Sequence, residues 1–229
     1  MNLVIPYRHE VSNGLELKFA LRSIESYLTG YNQIFIVGDR FPTWLTNTQI
    51  VYFEEDKRKS STNILKKILA GMYYAGPQVI QWQDDIFLNK PLDVKDFKYW
   101  YDGTMADAIK KSRGNYKQLV VDTALKTTDE FLYYDTHTPI IYNEAPLRGM
   151  MEKLEWGKKE FIIKTSYVWY RKPYTPGEYL QDCKIMMPTK LHEPEEKIKD
   201  RLFFSTQGLE THVIDMLEKL YPNKSRYEI

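Results

Sequence analysis

The sequence predicts a Rossmann-like α/β fold on a mixed, mainly parallel sheet, with a less regular second half. Three observations predict it. Apolar runs of strand length alternate with helical runs over about the first 85 residues. The strand-like runs end in polar or charged groups at Arg8, Asp39 and Asp84-Asp85. No repeat, low-complexity segment or linker interrupts the chain, so one domain over residues 1–229 is expected, with a ligand-binding half at 1–95 and a second half at 96–229.

Leu3-Val4-Ile5-Pro6-Tyr7-Arg8 reads as a buried parallel strand stopped by Pro6, with a polar loop from His9 to Gly14. Leu17, Ala20, Leu21, Ile24 and Leu28 recur at helical spacing, which predicts a helix over 15–28 closed by Gly30. Strands are expected at 33–39 and 50–53, with a loop or single helical turn at Pro42-Thr43-Trp44-Leu45 between them. After a charged loop at 54–61, Ser61 or Thr62 is placed to cap a helix carrying Ile64, Leu65, Ile68, Leu69 and Met72, which ends at Gly76-Pro77. In that helix Lys66 and Lys67 read as a solvated face.

Val79 to Leu88 is apolar except at its centre, where Gln83-Asp84-Asp85 interrupts it. A buried strand has no use for adjacent carboxylates, because desolvating an unpaired one is costly. At a strand end facing a cleft, such a pair can hold a divalent cation whose shell is completed by substrate phosphates. A solvated Asp-Asp turn is the competing reading; the apolar flanks favour the site. Ligands collect at strand carboxyl ends in such sheets, and Arg8, Asp39, Asp84 and Asp85 all fall there.

In the second half, residues 96–111 read as mixed, turning helical after Thr104, and 115–126 as a helix. An aromatic strand-like stretch follows at 131–142 around His137. Next come a helix at 144–154 with Pro146 in its first turn, a strand-like run at 165–171, a polar loop at 188–196, a strand at 202–206 and a closing helix at 209–220.

Hydrophobic residues make up 43% and charged residues 28% of the 229, as in ordinary globular chains, while 18 tyrosines suit clefts that need flat apolar faces with polar tips. A net charge of +1 supplies no overall basic field for nucleic acid or an anionic membrane. The single cysteine, Cys183, has no partner for a disulfide or structural zinc, and no apolar run approaches the ~20 residues that cross a bilayer. A cytoplasmic protein without a membrane span is expected. Neither G-x-G-x-x-G after the first strand nor G-x-x-x-x-G-K-[ST] is present, which argues against a classical dinucleotide fold and a P-loop.

Taken together, Leu15 to Glu25, Ile34-Phe35-Ile36-Val37-Gly38-Asp39, Pro42-Thr43-Trp44-Leu45 and Gln83-Asp84-Asp85-Ile86-Phe87-Leu88 resemble the GT-A glycosyltransferases and, more closely, the Stealth-type sugar-phosphate transferases. Gln83 stands where the Stealth pattern has Asn, and Leu88 where it has Phe. Asp135-Thr136-His137-Thr138-Pro139 resembles a later Stealth block. Phe203 to Thr206 and Pro222 to Glu228 are similar to segments of phage and bacterial members of the broad group. Ile5-Pro6-Tyr7-Arg8 replaces the Val-Asp-Gly-type Stealth segment, which favours plain glycosyl transfer.

The resemblance implies a GT-A-like core and transfer from a nucleotide-sugar, with a UDP-sugar the first candidate, to a hydroxyl acceptor. The acceptor is a saccharide or another hydroxyl, with modified DNA less favoured. It implies Mn²⁺ or Mg²⁺ on Asp85, with Asp84 on the ribose or a metal-bound water. Pro6, Arg8 and Asp39 would meet the nucleotide, and Asn63 would point to it from a helix N-terminus. A strand-end turn residue and a surface charge are the competing readings of Asp39 and Arg8. His137 is expected as a third metal ligand or as the general base, oriented by Asp135, and otherwise as a hydrogen-bonded core residue. Asp182 is a further candidate base on the acceptor side, against a plain loop acid. Sugar-phosphate transfer and a non-catalytic sugar- or partner-binding module are the alternatives.

Overall fold

The computed structural model describes residues 1–9, 14–56, 60–172, 177–190 and 193–229. Parts of the loops expected at 9–14, 54–61 and 188–196 lie outside the described residues.

The central sheet has the order β4-β3-β1-β5-β9. Its strands are β1 (Asn2–Pro6), β3 (Ile34–Gly38), β4 (Gln49–Tyr52), β5 (Gln78–Gln81) and β9 (Ile140–Asn143). All neighbours are parallel except β9, which runs antiparallel to β5. Leu3 pairs with Ile34 and Ile5 with Ile36, and strand alternation divides the apolar side chains between two faces. Val4, Phe35, Val37 and Val79 face one core, whereas Leu3, Ile5, Ile36 and Ile80 face the other.

Helix α1 (Leu15–Tyr27) covers the second face with Leu17, Leu21 and Ile24. Its Phe19 and Ala20 enter a third cluster with Phe87 and Phe204. Helix α2 (Ser60–Ala75) covers the first face with Leu65, Ile68 and Met72. Gly71 lets it settle there, since a Cβ at that position would lie 2.5 Å from Val4 Cγ1. That contact offsets the ~1 kcal/mol a mid-helix glycine costs.

A second sheet, β11-β12-β6, is built from β6 (Ile86–Leu88), β11 (Lys184–Ile185) and β12 (Phe203–Thr206). The run Val79 to Leu88, expected as a strand ending in the two carboxylates, is two strands in two sheets, with Gln83-Asp84-Asp85 as the turn between them. Short pairs β2 (Leu28–Thr29) with β7 (Leu92–Asp93), and β8 (Trp100–Tyr101) with β10 (Glu178–Tyr179), complete the strands described. The other helices are α3 (Met105–Lys111), α4 (Gly114–Thr127), α5 (Glu144–Lys153), α6 (Ile163–Arg171), α7 (Glu193–Ile198) and α8 (Thr211–Leu220).

Four sequence expectations need correction. Residues 165–171 form most of helix α6, because Tyr167 and Val168 pack on the sheet beside α5, and this tertiary contact outweighs their strand propensity. Of the stretch 131–142 only Ile140 onward is a strand; the rest turns around Thr136–Thr138, whose hydroxyls bond each other at 2.9 Å. The region 188–196 contains the start of α7. Helix α2 begins at Ser60, and the Thr62 hydroxyl and amide bond Glu160 Oε1 at 3.0 and 2.9 Å, so Thr62 is not its cap. Among the described residues no helix is long and apolar enough to cross a membrane.

The C-terminal segment is tied to α1 by a fork–fork ion pair. Arg22 donates from Nε to Glu228 Oε1 at 2.7 Å and from Nη2 to Oε2 at 2.8 Å. Burial alone would raise the Glu228 carboxyl, but bonds from Arg22 and the Ser225 amide outweigh it and hold it at about 2, below the ordinary 4.5. A depressed carboxyl contributes stability that is present above about 4.5 and is lost as pH falls towards 2. Glu228→Gln is expected to lower stability at neutral pH by about 3 kcal/mol and to flatten this acid limb, as read by denaturant unfolding from pH 7 to pH 2.

Candidate active site

A cleft of about 640 Å³ opens at the carboxyl ends of β1 and β5, where the two sheets meet. Trp82, in sequence between the lining residues Gln81 and Gln83, anchors this stretch in the core. The indole is fully buried against Phe203, ring centroids 5.9 Å apart, and its Nε1–H donates to Ile86 O at 2.9 Å. That bond spans the turn from β5 to β6 and holds Asp84 and Asp85 at the cleft wall.

Of the residues expected at a site, Pro6, Arg8, Asn63, Asp84, Asp85 and His137 line this cleft. Asp39 is not among the lining residues; it is exposed just beyond the end of β3. Asn63 lines the wall while its amide bonds the Asp56 main chain, accepting from the amide N–H at 3.1 Å and donating to the carbonyl. Asp182 stands behind His137, accepting from its backbone N–H at 2.8 Å and from Nδ1 at 2.7 Å.

Sequence reading missed Glu16, Lys67 and Lys184, which also line the cleft. Lys67 is 3% exposed, not solvated: it donates to Tyr7 O at 2.6 Å and pairs with Glu55. Glu55 also lies 3.7 Å from Arg8 Nε. The available signal was spacing, since Lys67 follows Asn63 by four residues and so shares its face of α2. Glu16, at the start of α1, accepts from the Thr206 hydroxyl at 3.1 Å.

The carboxylates crowd one another. Burial, then the charges of Asp85 and Glu16, push the Asp84 carboxyl up to about 8. Burial and Asp85 likewise raise Glu16, against the pull of the Thr206 hydroxyl and Lys184. Such a set gains by taking up a cation. Among the described residues no group of three His, Cys, Asp or Glu is arranged to hold a metal. The Asp84-Asp85 pair fits an ion of the Mg²⁺ type, which takes one or two carboxylates and completes its shell with phosphate and water.

The His137 ring has both nitrogens engaged. Lys184 Nζ lies 3.2 Å from Nε2 and 3.7 Å from Asp85 Oδ2. An ammonium only donates, so Nε2 is the acceptor, and Nδ1 carries the hydrogen given to Asp182. Burial alone would raise Asp182, but the bonds from His137 and the nearby Lys164 outweigh it and lower the carboxyl. Lys164, on α6, donates to Thr136 O and Thr138 O, each at 2.6 Å, and so pins the chain on both sides of His137. Its burial lowers the ammonium, an effect opposed by Asp135, Asp182 and Asp85.

Among solved structures the chain is similar to the galactosyltransferase LgtC, solved with donor and acceptor sugar analogues. The TM-score is 0.55 at 11% identity, over 98% of this chain and 96% of that one. It is also similar to WbbM, a bifunctional glycosyltransferase, at TM-score 0.57 and 11% identity, over 98% of this chain and 50% of that one. The fold is the GT-A fold. No protein-family model and no curated protein matches the sequence. Within this GT-A fold the Asp84-Asp85 turn joins the main sheet to the smaller one, and His137 reaches it from the second half of the chain.

Asp182→Asn tests the support of His137. Either orientation of the amide leaves a donor facing a donor, at the His137 backbone N–H or at Nδ1. A loss of about 1–3 kcal/mol in unfolding free energy is expected in denaturant titration. Unchanged stability would show that the pair does not hold the loop.

Proposed function

We propose that the protein is a glycosyltransferase that moves a sugar from a nucleotide-sugar to a hydroxyl acceptor and depends on a divalent cation. The observation that carries this reading is the Asp84-Asp85 turn at the mouth of the cleft of a GT-A fold, faced by cationic Lys67 and Lys184. Both comparison structures are of glycosyltransferases, which supports the reaction class.

Asp85, with Asp84, would hold Mn²⁺ or Mg²⁺; a cation there neutralises charge on the leaving diphosphate. Pro6, Arg8 and Asn63 border the space for the nucleotide. Asp39, exposed beyond β3, is assigned to the base or ribose by the sequence resemblance alone. A UDP-sugar remains the first donor to try, and a saccharide the first acceptor. His137 Nε2 is the group to take the acceptor proton as the acceptor oxygen bonds the anomeric carbon and the bond from that carbon to the diphosphate oxygen breaks. Asp182 acts through His137, fixing its tautomer, instead of serving as a separate base.

Sugar-phosphate transfer is a second reading, favoured by one observation: His137, carried by a Stealth-like block, faces the same cleft as Asp84-Asp85.

Nucleoside mono- and diphosphates with Mn²⁺ or with chelator, read by thermal shift, test the donor site. One nucleotide at about 100 Kd adds about 2.7 kcal/mol, a shift of roughly 5–10 °C in a chain of this size. The shift is expected to vanish with chelator and in Asp85→Ala. An unchanged shift in both would overturn the metal assignment.

A further inference from the structure

We infer that Lys184 is a phosphate-responsive cap on His137, a positioning residue that keeps Nε2 occupied until an anionic donor draws the ammonium away. The inference rests on the donor site proposed above and adds how that site is coupled to the base.

Lys67 and Lys184, which line the cleft, and Lys164, which bonds the main chain on either side of His137, are held very differently. Lys164 and Lys67 are buried, each with strong oxygen acceptors: two carbonyls at 2.6 Å for one, and a carbonyl at 2.6 Å with a carboxylate for the other. Neither can leave without stripping its oxygen acceptors of their donor. Lys184 has a side chain 28% exposed to the cleft, one hydrogen bond of 3.2 Å to a neutral ring nitrogen, and a carboxylate at 3.7 Å, beyond hydrogen-bond reach. Its four-carbon stem allows the ammonium to swing. A diphosphate offers charged oxygens, which an ammonium binds more strongly than a neutral imidazole.

While the cap is in place, the Nε2 lone pair accepts from Lys184 and cannot take a proton from an acceptor. When phosphate takes the ammonium, Asp182 and Lys164 stay where they are, so the ring keeps its orientation and tautomer. Its free lone pair then faces the cleft. The same movement takes a positive charge away from Asp85, where the proposed cation would bind. Donor before acceptor is the order that follows.

Diethyl pyrocarbonate reads the cap directly, because it acylates an imidazole nitrogen through a free lone pair and Nδ1 carries hydrogen. Modification of the His137 peptide would be followed by mass spectrometry in the wild type, Lys184→Met, Lys184→Gln and Lys184→Arg, each checked for an intact thermal transition. His137 is expected to react slowly in the wild type and several-fold faster in the Met and Gln variants, with slow reaction restored in the Arg variant. Magnesium pyrophosphate is expected to accelerate the wild type and to leave Lys184→Met unchanged. Equal rates in the wild type and both neutral variants would overturn the cap. Exposure in those variants without a pyrophosphate response in the wild type would overturn its responsiveness. Neither result requires sugar transfer, so a failed cap is distinguishable from a failed donor site, which the Asp85→Ala shift reports.

Discussion

The site depends on the bond from the Trp82 indole to the Ile86 carbonyl. The two strands that this bond connects belong to different sheets, one pairing with β1 and the other with β12. A buried indole N–H needs an acceptor, and here the acceptor lies across the Asp84-Asp85 turn. The requirement that makes the core satisfiable therefore also fixes where the two carboxylates stand. Phe97 and Phe203, packed on the same indole, extend that constraint into the second half of the chain.

Around this turn the charges are arranged for a visitor. Asp84, Asp85 and Glu16 line one cleft, and the Lys184 ammonium stands 3.7 Å from Asp85. Lys67 bonds Glu55 and a carbonyl. Crowded carboxylates destabilise the fold in isolation, and perturbed groups of this kind concentrate at functional clefts. The His137 side is fully supported: Asp182 fixes the ring, and Lys164 fixes the carbonyls beside it. In the proposed mechanism, the contrast between a rigidly held His137 and a loosely held Lys184 lets donor binding control proton transfer without moving the backbone.

Much of the first half was legible because its signals are local. Strands β1, β3 and β4 follow apolar runs, and α1 and α2 follow helical periodicity with Gly30 and Gly76 near their ends. The acidic turn was legible as a strand end. The second half was less so because its structure is set by distant contacts. Tyr167 and Val168 look like strand residues until a sheet and α5 lie beneath them. Lys184 sits on a two-residue strand that exists only through its pairing with β12. Lys67 reads as a surface lysine until the Tyr7 carbonyl, 60 residues away in sequence, is brought to it. Asp182 gains its meaning from His137, 45 residues earlier in the chain.

The most direct measurement is the identity of the nucleotide released when the protein is incubated with a panel of UDP-, GDP- and CDP-sugars and Mn²⁺, resolved by anion-exchange chromatography. Release of a nucleoside diphosphate from one donor, absent in Asp85→Ala, is the expected result. A nucleoside monophosphate would mean that sugar phosphate is transferred, and no release from any donor would contradict a nucleotide-sugar transferase.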